Sequence, residues 1–433
     1  MFGTSGIRGI YGAEITENLA LLLSNVFADS DMVVGRDTRK TGLPLSHAVF
    51  SGVISAGRNA IDLGIVPTPT VALATKLKVA RGIMITASHN PPEYNGLKFI
   101  ERGLEVPKKT EKIIEAKYRN KEIKLVGWDK VGKVFVDSSF IEKHKEFVKG
   151  LVEISRGKRP KVVIDSNGAG AVITPSLLRE LGCEVISIND SLESFSRPSE
   201  PNAKNLEGLS RKIKETGADF GIGHDGDADR CVILDENGEM LPFDVQLSIM
   251  IEHELSKSKN KKIVSTIESS LIIRETVEKN GGRLIVTPVG SVYVGETLEK
   301  EGAVFGGEPC GEYIYQHGVH VPDAILAAAK FLEIYLEKGK FSELRKRYKT
   351  YSIHRDKFQA SNKERSMEKI KSMIKTGGKI NDEDGIRVDE DDGWFLIRPS
   401  GTEPVIRLTM EYKDETKLKK RKKEVEDIIR KNI

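Results

Sequence analysis

Four short runs of mostly apolar, β-branched residues constrain the fold of this chain more than any other feature. They cover residues 32–37, 161–168, 220–225 and 262–266, and each run leads into a turn or a helix-like sequence. Strands that alternate with helices are typical of α/β layers with parallel or mixed sheets. We therefore predict an α/β protein, and the similarity of the runs favours related domains in tandem.

The number of domains follows from the length of the chain. Because 433 residues exceed what one hydrophobic core usually supports, we expect several domains. Polar or basic stretches near residues 150, 240 and 350 are the natural boundaries. We predict three tandem α/β domains with mixed sheets and a smaller C-terminal α+β domain. The predicted limits are 1–150, 151–240, 241–349 and 350–433.

Composition argues against several classes of partner. The 68 Lys and Arg residues nearly balance the 64 Asp and Glu residues, so the net charge of +4 does not indicate nucleic acid. The three cysteines form no Cys-x-x-Cys motif, which argues against a zinc knuckle or a disulfide framework. The N-terminus lacks a secretory pattern, and no apolar run is long enough to span a bilayer. We expect a cytoplasmic protein that binds neither membranes nor nucleic acid.

A serine in a stiff loop is the first candidate for chemistry. Ser88 follows the apolar run 82–85, which predicts a buried strand, and catalytic sites of α/β sheets gather at strand ends. The consecutive residues Pro91 and Pro92 restrict the backbone after the serine. The alternative interpretation of this segment is an ordinary polar loop.

Three carboxylates at alternate positions form the second candidate site. Asp225, Asp227 and Asp229 are separated only by small residues, and such close oxygen donors would repel one another unless a divalent cation lay among them. Magnesium is the ion we expect. An EF-hand is excluded because Arg230 occupies its glycine position and residues 231–234 predict a strand. An acidic turn without a metal is the remaining alternative.

A third segment offers donors for a phosphate group. It follows the strand-like residues 394–397 and contains an arginine, two hydroxyl groups and the backbone amides around a glycine. The proposed phosphate ligands are Arg398, Ser400, Gly401 and Thr402. A surface turn is the alternative. Two glycine-rich segments, 3–9 and 306–312, could contribute a cation and sugar-binding carboxylates.

Taken together, these segments indicate phosphoryl transfer through a phosphoserine. In this order they resemble the α-D-phosphohexomutase superfamily of phosphoglucomutases, phosphomannomutases and phosphoglucosamine mutases. The resemblance covers essentially the whole chain, and the matching motif loops are residues 86–98, 225–230, 307–311 and 398–402. Residues 2–9 look most like the opening of the phosphoglucosamine mutases, and archaeal-type mutases of mixed specificity are also similar.

The resemblance implies a reaction and its cofactors. Ser88 would carry a phosphoryl group, and Mg²⁺ would be held by Asp225, Asp227, Asp229 and a phosphate oxygen on Ser88. The enzyme would interconvert the 1-phosphate and the 6-phosphate of a hexose through a bisphosphate intermediate. A sugar bisphosphate would act as activator. Four domains would surround a central cleft, the partner would be a small sugar phosphate, and a homodimer is compatible with the family.

The resemblance also assigns roles to individual residues. Arg8, Lys98 and Arg230 would supply positive charge around the reacting centre. Lys98 or His89 would carry protons, and Lys98 as a base would need a pKa lowered by burial and by the nearby arginines. Glu308 would bind sugar hydroxyls together with Cys310. The segment containing Arg398 would hold whichever phosphate is not reacting.

Departures from the family pattern affect the sugar rather than the reaction. Cys310 replaces a usual serine, Glu312 replaces a common histidine, and Val292 stands where many relatives carry a basic residue. Glucosamine phosphate is the preferred substrate, with mannose or glucose phosphates and a pentose phosphate as alternatives. A bisphosphate synthase or a sugar-phosphate hydrolase would retain the same motifs. A catalytically silent sensor is disfavoured because Ser88 and the acidic triplet are all present.

Overall fold

The structure is a computed structural model that describes residues 1–78, 80–155, 157, 159–374, 376–400 and 404–433. Four sheets follow one another along the chain, each with its own helices. The first three sheets are mixed, and the fourth is antiparallel. The predicted fold class is therefore confirmed.

The first sheet contains seven strands. They are β1 (Ile7–Ile10), β2 (Met32–Arg36), β3 (Ala60–Ile65), β4 (Arg81–Ile85), β5 (Tyr94–Glu101), β6 (Leu104–Glu105) and β7 (Val134–Val136). The helices of this part are α1 (Glu17–Phe27), α2 (Gly42–Ser55), α3 (Thr68–Lys78), α4 (Lys108–Arg119) and α5 (Phe140–Lys149). The spatial order is β1-β5-β4-β2-β3-β7, with β6 beside β5. Strand β5 runs antiparallel to its neighbours, and the remaining pairs are parallel.

The second and third sheets have four strands each. The second comprises β8 (Lys161–Asp165), β9 (Glu184–Ile188), β10 (Phe220–His224) and β11 (Cys231–Leu234), with α6 (Thr174–Glu180) and α7 (Glu207–Thr216). The third comprises β12 (Lys262–Thr266), β13 (Arg283–Thr287), β14 (Phe305–Glu308) and β15 (Glu312–Tyr315). Its helices are α8 (Phe243–Lys257), α9 (Leu271–Lys279), α10 (Ser291–Glu301), α11 (Ala324–Lys338) and α12 (Phe341–Arg345).

The fourth sheet is a five-stranded antiparallel layer. Its strands are β16 (Ser352–Gln359), β17 (Lys379–Asn381), β18 (Ile386–Glu390), β19 (Gly393–Pro399) and β20 (Val405–Tyr412). They lie in the order β16-β20-β19-β18-β17 and are accompanied by α13 (Lys363–Met373) and α14 (Glu415–Asn432). Two short 3₁₀ segments elsewhere in the chain cover Trp128–Lys130 and Ala169–Val172.

One arrangement of four strands recurs in all three mixed sheets. The orders β5-β4-β2-β3, β11-β10-β8-β9 and β15-β14-β12-β13 are equivalent, and only the first pair of each is antiparallel. The loops that join these antiparallel pairs are residues 86–93, 225–230 and 309–311. The fold therefore places the serine, the acidic triplet and the cysteine motif at the same position of three similar domains.

Helix α11 forms the centre of the largest core. Residues 324–335 are all buried, so this helix is enclosed on every side and contacts apolar residues of both the second and the third sheets. Asp323 caps its N-terminus by accepting hydrogen bonds from the amides of Ile325 and Leu326, each at 3.0 Å. Within the described residues, no helix is long and apolar enough to cross a membrane.

The antiparallel domain packs against the third domain through a small apolar cluster. Trp394 and Leu396 contact Ile267 and Leu271. The carboxylate of Glu411 joins the two sides by accepting hydrogen bonds from the Trp394 indole and the Leu271 amide, both at 2.7 Å. These contacts fix the segment that contains Arg398 relative to the third sheet.

Truncating Phe331 in α11 should destabilise the protein. This ring is fully buried and packs edge-on against Tyr313, with the ring centroids 5.6 Å apart. We expect Phe331→Ala to lower the free energy of unfolding by about 3–5 kcal/mol, because the cavity cannot fill. Urea titration followed by circular dichroism measures this effect. Leu43→Ala, which truncates an exposed side chain, should change it by less than about 0.5 kcal/mol.

Candidate active site

The serine loop adopts a strained conformation. Ser88 is buried between β4 and β5, with a φ of 49° in the left-handed region that side chains other than glycine rarely adopt. Its amide donates a hydrogen bond to the Thr86 hydroxyl at 2.8 Å. Such strain persists only when the surroundings hold the backbone in place, and it is often found at functional sites.

Arg39 is the main restraint on this loop. Its guanidinium donates to the carbonyl oxygens of Ser88 and Asn90 at 2.8 Å, and to those of Pro91 and Tyr94 at 2.6 and 2.8 Å. A planar fork of donors suits such a set of acceptors better than a single ammonium group would. One buried side chain therefore fixes the path of the loop on both sides of its prolines.

Asp37 in turn orients Arg39. Its carboxylate accepts hydrogen bonds from the Arg39 Nε at 3.1 Å and from the Thr86 hydroxyl at 2.7 Å. The ring of Phe195, from the second domain, lies 4.9 Å from the guanidinium carbon. Buried pairs of this kind are retained where geometry matters, because losing either partner leaves an uncompensated charge.

The acidic triplet lies directly against the serine. Ligand oxygens of Asp225, Asp227 and Asp229 all come within 4.8 Å of one another, and all three residues are buried. The Ser88 hydroxyl donates to Asp225 Oδ2 at 2.7 Å and lies 3.5 Å from Asp229 Oδ1. Ala228 also has a left-handed φ, of 50°. The structure thus joins two motifs that are more than 130 residues apart in the sequence.

The electrostatics of the triplet fit a bound cation. Burial, followed by repulsion from Asp229 and Asp227, raises the pKa of Asp225 well above its usual value. Burial also tends to raise the pKa of Asp229. The positive charges of Lys98 and Arg230 outweigh this effect and lower the pKa of Asp229 to about 2. Asp227 Oδ1 is buried and has no hydrogen-bond partner among the described residues. A divalent ion with oxygen ligands would satisfy that atom and relieve the repulsion.

The pKa of Lys98 is shifted in the direction opposite to the one that a base at this position would need. Its ammonium lies 2.9 Å from Asp227 Oδ2 and 2.6 Å from Asp229 Oδ2. Burial tends to lower the pKa of Lys98, but Asp227, Asp229 and Glu105 outweigh it, and the resulting pKa is raised. A raised pKa favours the charged ammonium, which is the form that supplies positive charge, whereas a base would need the opposite shift.

His89 is held in its neutral form. The positive charge of Arg230, together with burial and Arg8, lowers the pKa of His89 to about 2. Its Nδ1 lies 3.4 Å from the Ser88 hydroxyl oxygen, a loose contact. A group that is protonated only near pH 2 is a weak base at neutral pH. Neither candidate proton carrier therefore has the pKa of an efficient general base.

Two hydroxyl groups join the serine loop to the acidic loop. Ser199 donates to the Ser88 carbonyl at 2.8 Å and accepts from the Gly226 amide at 2.9 Å. Thr68, at the start of α3, donates its amide to the Asp227 carbonyl at 2.9 Å and its hydroxyl to the Asp227 carboxylate. These contacts fix the position of the first domain relative to the second domain at the site.

Arg8 presents an unused donor next to the same loop. It lies on β1 opposite Gly96 of β5, where an added Cβ would come within 2.2 Å of the Ile7 carbonyl oxygen. The close approach of the two strands therefore requires glycine. In the described part of the chain, the buried Arg8 Nε has no hydrogen-bond partner. An anion on Ser88 would be a natural acceptor.

Arg230 connects the acidic loop to the third domain. Its amide donates to Asp225 Oδ1 at 3.1 Å, and its guanidinium lies 3.2 Å from Glu312 Oε1. Glu308 and Glu312 face each other across β14 and β15. Burial and the neighbouring Glu312 raise the pKa of Glu308 well above its usual value, and the pKa of the Cys310 thiol is raised for the same reasons.

The segment proposed to bind phosphate is only partly described. Gly401 and Thr402 lie outside the described residues. Arg398 faces Arg407 in the adjacent strand, and its Nη1 donates to Glu268 at 3.1 Å. The Lys363 ammonium donates to the Ser400 carbonyl at 2.5 Å. Lys363 and Arg407 thus lie beside Ser400 and Arg398, the described part of this segment, and supply the positive charge that an anion would require.

A second cluster with metal-ligand spacing lies in the last domain. It consists of His354, Asp356 and Glu426, all partly exposed. Lys422 and Arg430 lie 3.6 and 3.8 Å from the Glu426 carboxylate. These cations supply countercharge to Glu426, and the cluster is partly exposed, whereas the three carboxylates of the acidic triplet are buried.

Sequence reasoning missed several residues that position the site. Arg39 follows a predicted strand end, so its location was foreseeable, but its contacts with the serine loop were not. Thr68 and Ser199 carry no motif and act through contacts between domains. Arg407 becomes relevant only through its register with Arg398.

Comparison with known proteins agrees with this architecture. Models of the phosphoglucomutase/phosphomannomutase family match residues 1–124 as alpha/beta/alpha domain I and 138–238 as domain II. They match residues 243–351 as domain III and 338–428 as the C-terminal domain. The chain belongs to this family of phosphohexomutases, isomerases that transfer a phosphoryl group, and the predicted resemblance is confirmed. The domain limits at 150, 240 and 349 stay predictions.

Individual relatives match over nearly their whole length. A protein named probable phosphoglucosamine mutase from Methanobrevibacter smithii is 40% identical over 450 residues, which cover 100% of this chain and 99% of that protein. A protein from Thermococcus kodakarensis named phosphoglucomutase/phosphomannomutase is 37% identical, with coverage of 96% and 95%.

Solved structures share the fold at lower identity. A phosphoglucomutase/phosphomannomutase family protein from Burkholderia thailandensis has a TM-score of 0.87 and 24% identity, over 99% of this chain and 96% of that one. The Aspergillus fumigatus N-acetylphosphoglucosamine mutase, solved with GlcNAc-6P and magnesium, has a TM-score of 0.64 and 16% identity. That match covers 100% of this chain and 95% of the other.

Replacing Arg39 should disturb the site without removing any group that touches substrate. Arg39→Lys keeps the charge but cannot satisfy four carbonyl oxygens and Asp37 together. We expect mutase kcat to fall by about tenfold or more, with the unfolding free energy lowered by about 1–3 kcal/mol. Steady-state kinetics and urea titration measure the two effects. Arg119→Lys, at an exposed arginine, should leave both unchanged; an unaltered kcat in Arg39→Lys would contradict the positioning role.

Proposed function

We propose that this chain is a phosphoglucosamine mutase that interconverts glucosamine 6-phosphate and glucosamine 1-phosphate through a phosphoserine at Ser88. The observation that carries the proposal is the Ser88 hydroxyl, 2.7 Å from Asp225 within a buried triplet of carboxylates. The relatives named phosphoglucosamine mutase, 40% identical over the full chain, support the choice of sugar.

The acidic triplet is the proposed magnesium site. Asp225, Asp227 and Asp229 would hold the ion together with a phosphate oxygen on Ser88. The unsatisfied Asp227 Oδ1 and the raised pKa of Asp225 both favour a cation there. When bound, Mg²⁺ would offset the negative charge that develops on the transferring phosphoryl group.

The protein's own cations share this task. A phosphoserine carries close to two negative charges at neutral pH, next to three carboxylates. Arg8 Nε has no hydrogen-bond partner among the described residues and is available to it, Arg230 contacts Asp225, and the Lys98 ammonium lies between Asp227 and Asp229. In the transfer step, the bond between Ser88 Oγ and phosphorus would break while a sugar hydroxyl oxygen forms a bond to phosphorus. The proton that this hydroxyl loses would be balanced by the proton that Ser88 Oγ takes up as it becomes a free hydroxyl.

The third and fourth domains are proposed to hold the sugar. Glu308 and Cys310 would contact its hydroxyls, and Arg398, Ser400, Gly401 and Thr402 would bind the phosphate that is not reacting. The bisphosphate intermediate must turn over, so this second site accepts either phosphate, and added sugar bisphosphate would prime unphosphorylated enzyme.

The carboxylates of the sugar loop favour an amino sugar. Glu308 and Glu312 lie opposite each other, and repulsion from Glu312 adds to the effect of burial in raising the pKa of Glu308. The 2-ammonium group of glucosamine would relieve this repulsion, whereas the 2-hydroxyl of glucose or mannose would not. The relative named phosphoglucomutase/phosphomannomutase keeps these neutral sugars as the second candidates.

A substrate panel tests both the sugar and the phosphoserine. With Mg²⁺ and a priming bisphosphate, we expect glucosamine 6-phosphate to be converted with kcat/KM at least about tenfold above that for the glucose and mannose 6-phosphates. Phosphorus NMR follows the interconversion directly. Ser88→Ala should reduce kcat by about 10⁴-fold or more, because it removes the phosphoryl carrier. Intact-mass analysis should show one phosphate group that this variant lacks.

The control is Ser46→Ala, at another buried serine of the first domain, which should keep both phosphate and turnover. Faster conversion of glucose or mannose phosphate would refute the glucosamine assignment but not the mutase class. Normal turnover by Ser88→Ala would refute the phosphoserine mechanism.

Magnesium binding should be visible without catalysis. At about 100 times its dissociation constant, Mg²⁺ should add roughly 2.7 kcal/mol to the stability of the chelator-treated protein. Differential scanning calorimetry measures the accompanying rise in Tm. Asp227→Asn should lose most of this rise, whereas Asp391→Asn, at an exposed carboxylate, should retain it. Equal shifts in the two variants would place the ion elsewhere.

A further inference from the structure

A short strap in the second domain contacts both loops of the site. It consists of residues 195–199, which lie in the irregular segment between β9 and α7. The Ser199 hydroxyl donates to the Ser88 carbonyl and accepts from the Gly226 amide. An added Cβ on Gly226 would come within 2.7 Å of the Phe195 ring and within 2.9 Å of the Ser199 hydroxyl oxygen. The strap therefore packs directly on the acidic loop, residues 225–230.

Arg197 anchors the strap at the end of the second sheet. Its Nε donates to Asp165 Oδ2 at 3.0 Å, and its Nη2 donates to the His224 carbonyl at 2.7 Å. Its Nη1 donates to the Pro198 carbonyl at 2.9 Å. The side chain is only 8% exposed. His224 is the last residue of β10 and directly precedes Asp225, so Arg197 fixes the backbone at the point where the acidic loop begins.

Two asparagines hold the strap and its anchor in place. Asn167 Oδ1 accepts hydrogen bonds from the Ser196 and Arg197 amides at 2.9 and 3.0 Å. Asn189 Nδ2 donates to Asp165 Oδ2 at 2.9 Å. Both asparagines have left-handed φ angles, of 36° and 51°, which asparagine tolerates better than most residues do. The surrounding fold thus sets the position of the Arg197 guanidinium independently of the acidic loop.

The same arrangement fixes the serine loop in the first domain. Strands β2 and β8 occupy equivalent positions, each beside the parallel strand that leads into a functional loop. At the end of β2, Asp37 accepts from the Nε of Arg39, whose guanidinium donates to carbonyl oxygens of the serine loop. At the end of β8, Asp165 accepts from the Nε of Arg197, whose guanidinium donates to the carbonyl before the acidic loop. The two arginines therefore have equivalent positions relative to the two loops.

We propose that Arg197, through the strap that it anchors and through the His224 carbonyl, is a positioning residue for the magnesium site. This inference deepens the proposed function and rests on it, because the ion belongs to that proposal. Among the described residues, no hydrogen bond or ion pair joins the arginine side chain to Asp225, Asp227 or Asp229. Arg197 acts on the site through the backbone and not through direct contact with the ligands.

The acidic loop needs such a restraint. Its three buried carboxylates repel one another, and Ala228 among them has a left-handed φ of 50°. The Ala169 amide donates to the Gly226 carbonyl at 2.9 Å and restrains the loop after its first residue. Arg197 restrains the backbone before that residue. Without this contact, repulsion would move Asp225 away from the other two carboxylates, and the site would lose one of its ligands.

Replacing Arg197 by lysine separates position from charge. Arg197→Lys keeps the positive charge, but one ammonium group cannot reproduce the planar fork that joins Asp165 to the His224 carbonyl. We expect the Mg²⁺ dissociation constant of the chelator-treated full chain to rise by about tenfold or more, the usual effect of losing a contact that orients metal ligands. Isothermal titration calorimetry measures this binding without turnover. Arg211→Lys, the same change at an exposed arginine of α7, should leave the constant unchanged.

All proteins are compared at equal phosphorylation, checked by intact mass. Equal Mg²⁺ affinity of Arg197→Lys and the unmodified chain would overturn the positioning role and leave the proposed metal site intact. Failure of the unmodified chain to bind Mg²⁺ would overturn both. If circular dichroism shows that Arg197→Lys does not fold, Ser199→Ala decides, because it removes only one hydroxyl group of the strap. The proposal then requires a rise of about threefold or more in the dissociation constant, and an unchanged constant overturns it.

Discussion

Three buried carboxylates within 4.8 Å of one another create the electrostatic constraint around which the site is organised. In an interior of low dielectric their repulsion would be severe without compensation. Lys98 from the first domain reaches two of them, and Arg230 donates its amide to the third. The triplet therefore needs both domains, and the interface between them is held together by the same charges that prepare the site for a cation.

The repeated strand order explains why the functional segments meet. The serine, the triplet and Cys310 lie in the loops that follow the same strand of three similar sheets. The fourth domain has another fold, yet Arg398 and Ser400 also lie at the end of a strand, β19, that pairs antiparallel with the next strand, β20. A single type of loop, placed on different domains, can thus supply the carrier, the metal ligands and the sugar contacts separately.

How much could be predicted from the sequence depends on the range of the interaction. Ser88 and the aspartates were recognisable because their spacing and the preceding strands are local patterns. Arg39 was not recognised, because its role depends on the carbonyl oxygens of a loop fifty residues away. A base at Lys98 would need a lowered pKa, and burial and the nearby arginines act in that direction. The carboxylates that reverse the shift became evident only in three dimensions.

Arg230 shows how the reacting end and the sugar end can influence each other. Its amide contacts Asp225 of the triplet, while its guanidinium contacts Glu312 of the sugar loop. The charge of Arg230 opposes the rise in pKa that burial causes at both Asp225 and Glu312. An ionised Glu312 would favour a positively charged sugar opposite it. Substitution of the family's common histidine by Glu312 would therefore link sugar preference to the same charges that bind the metal.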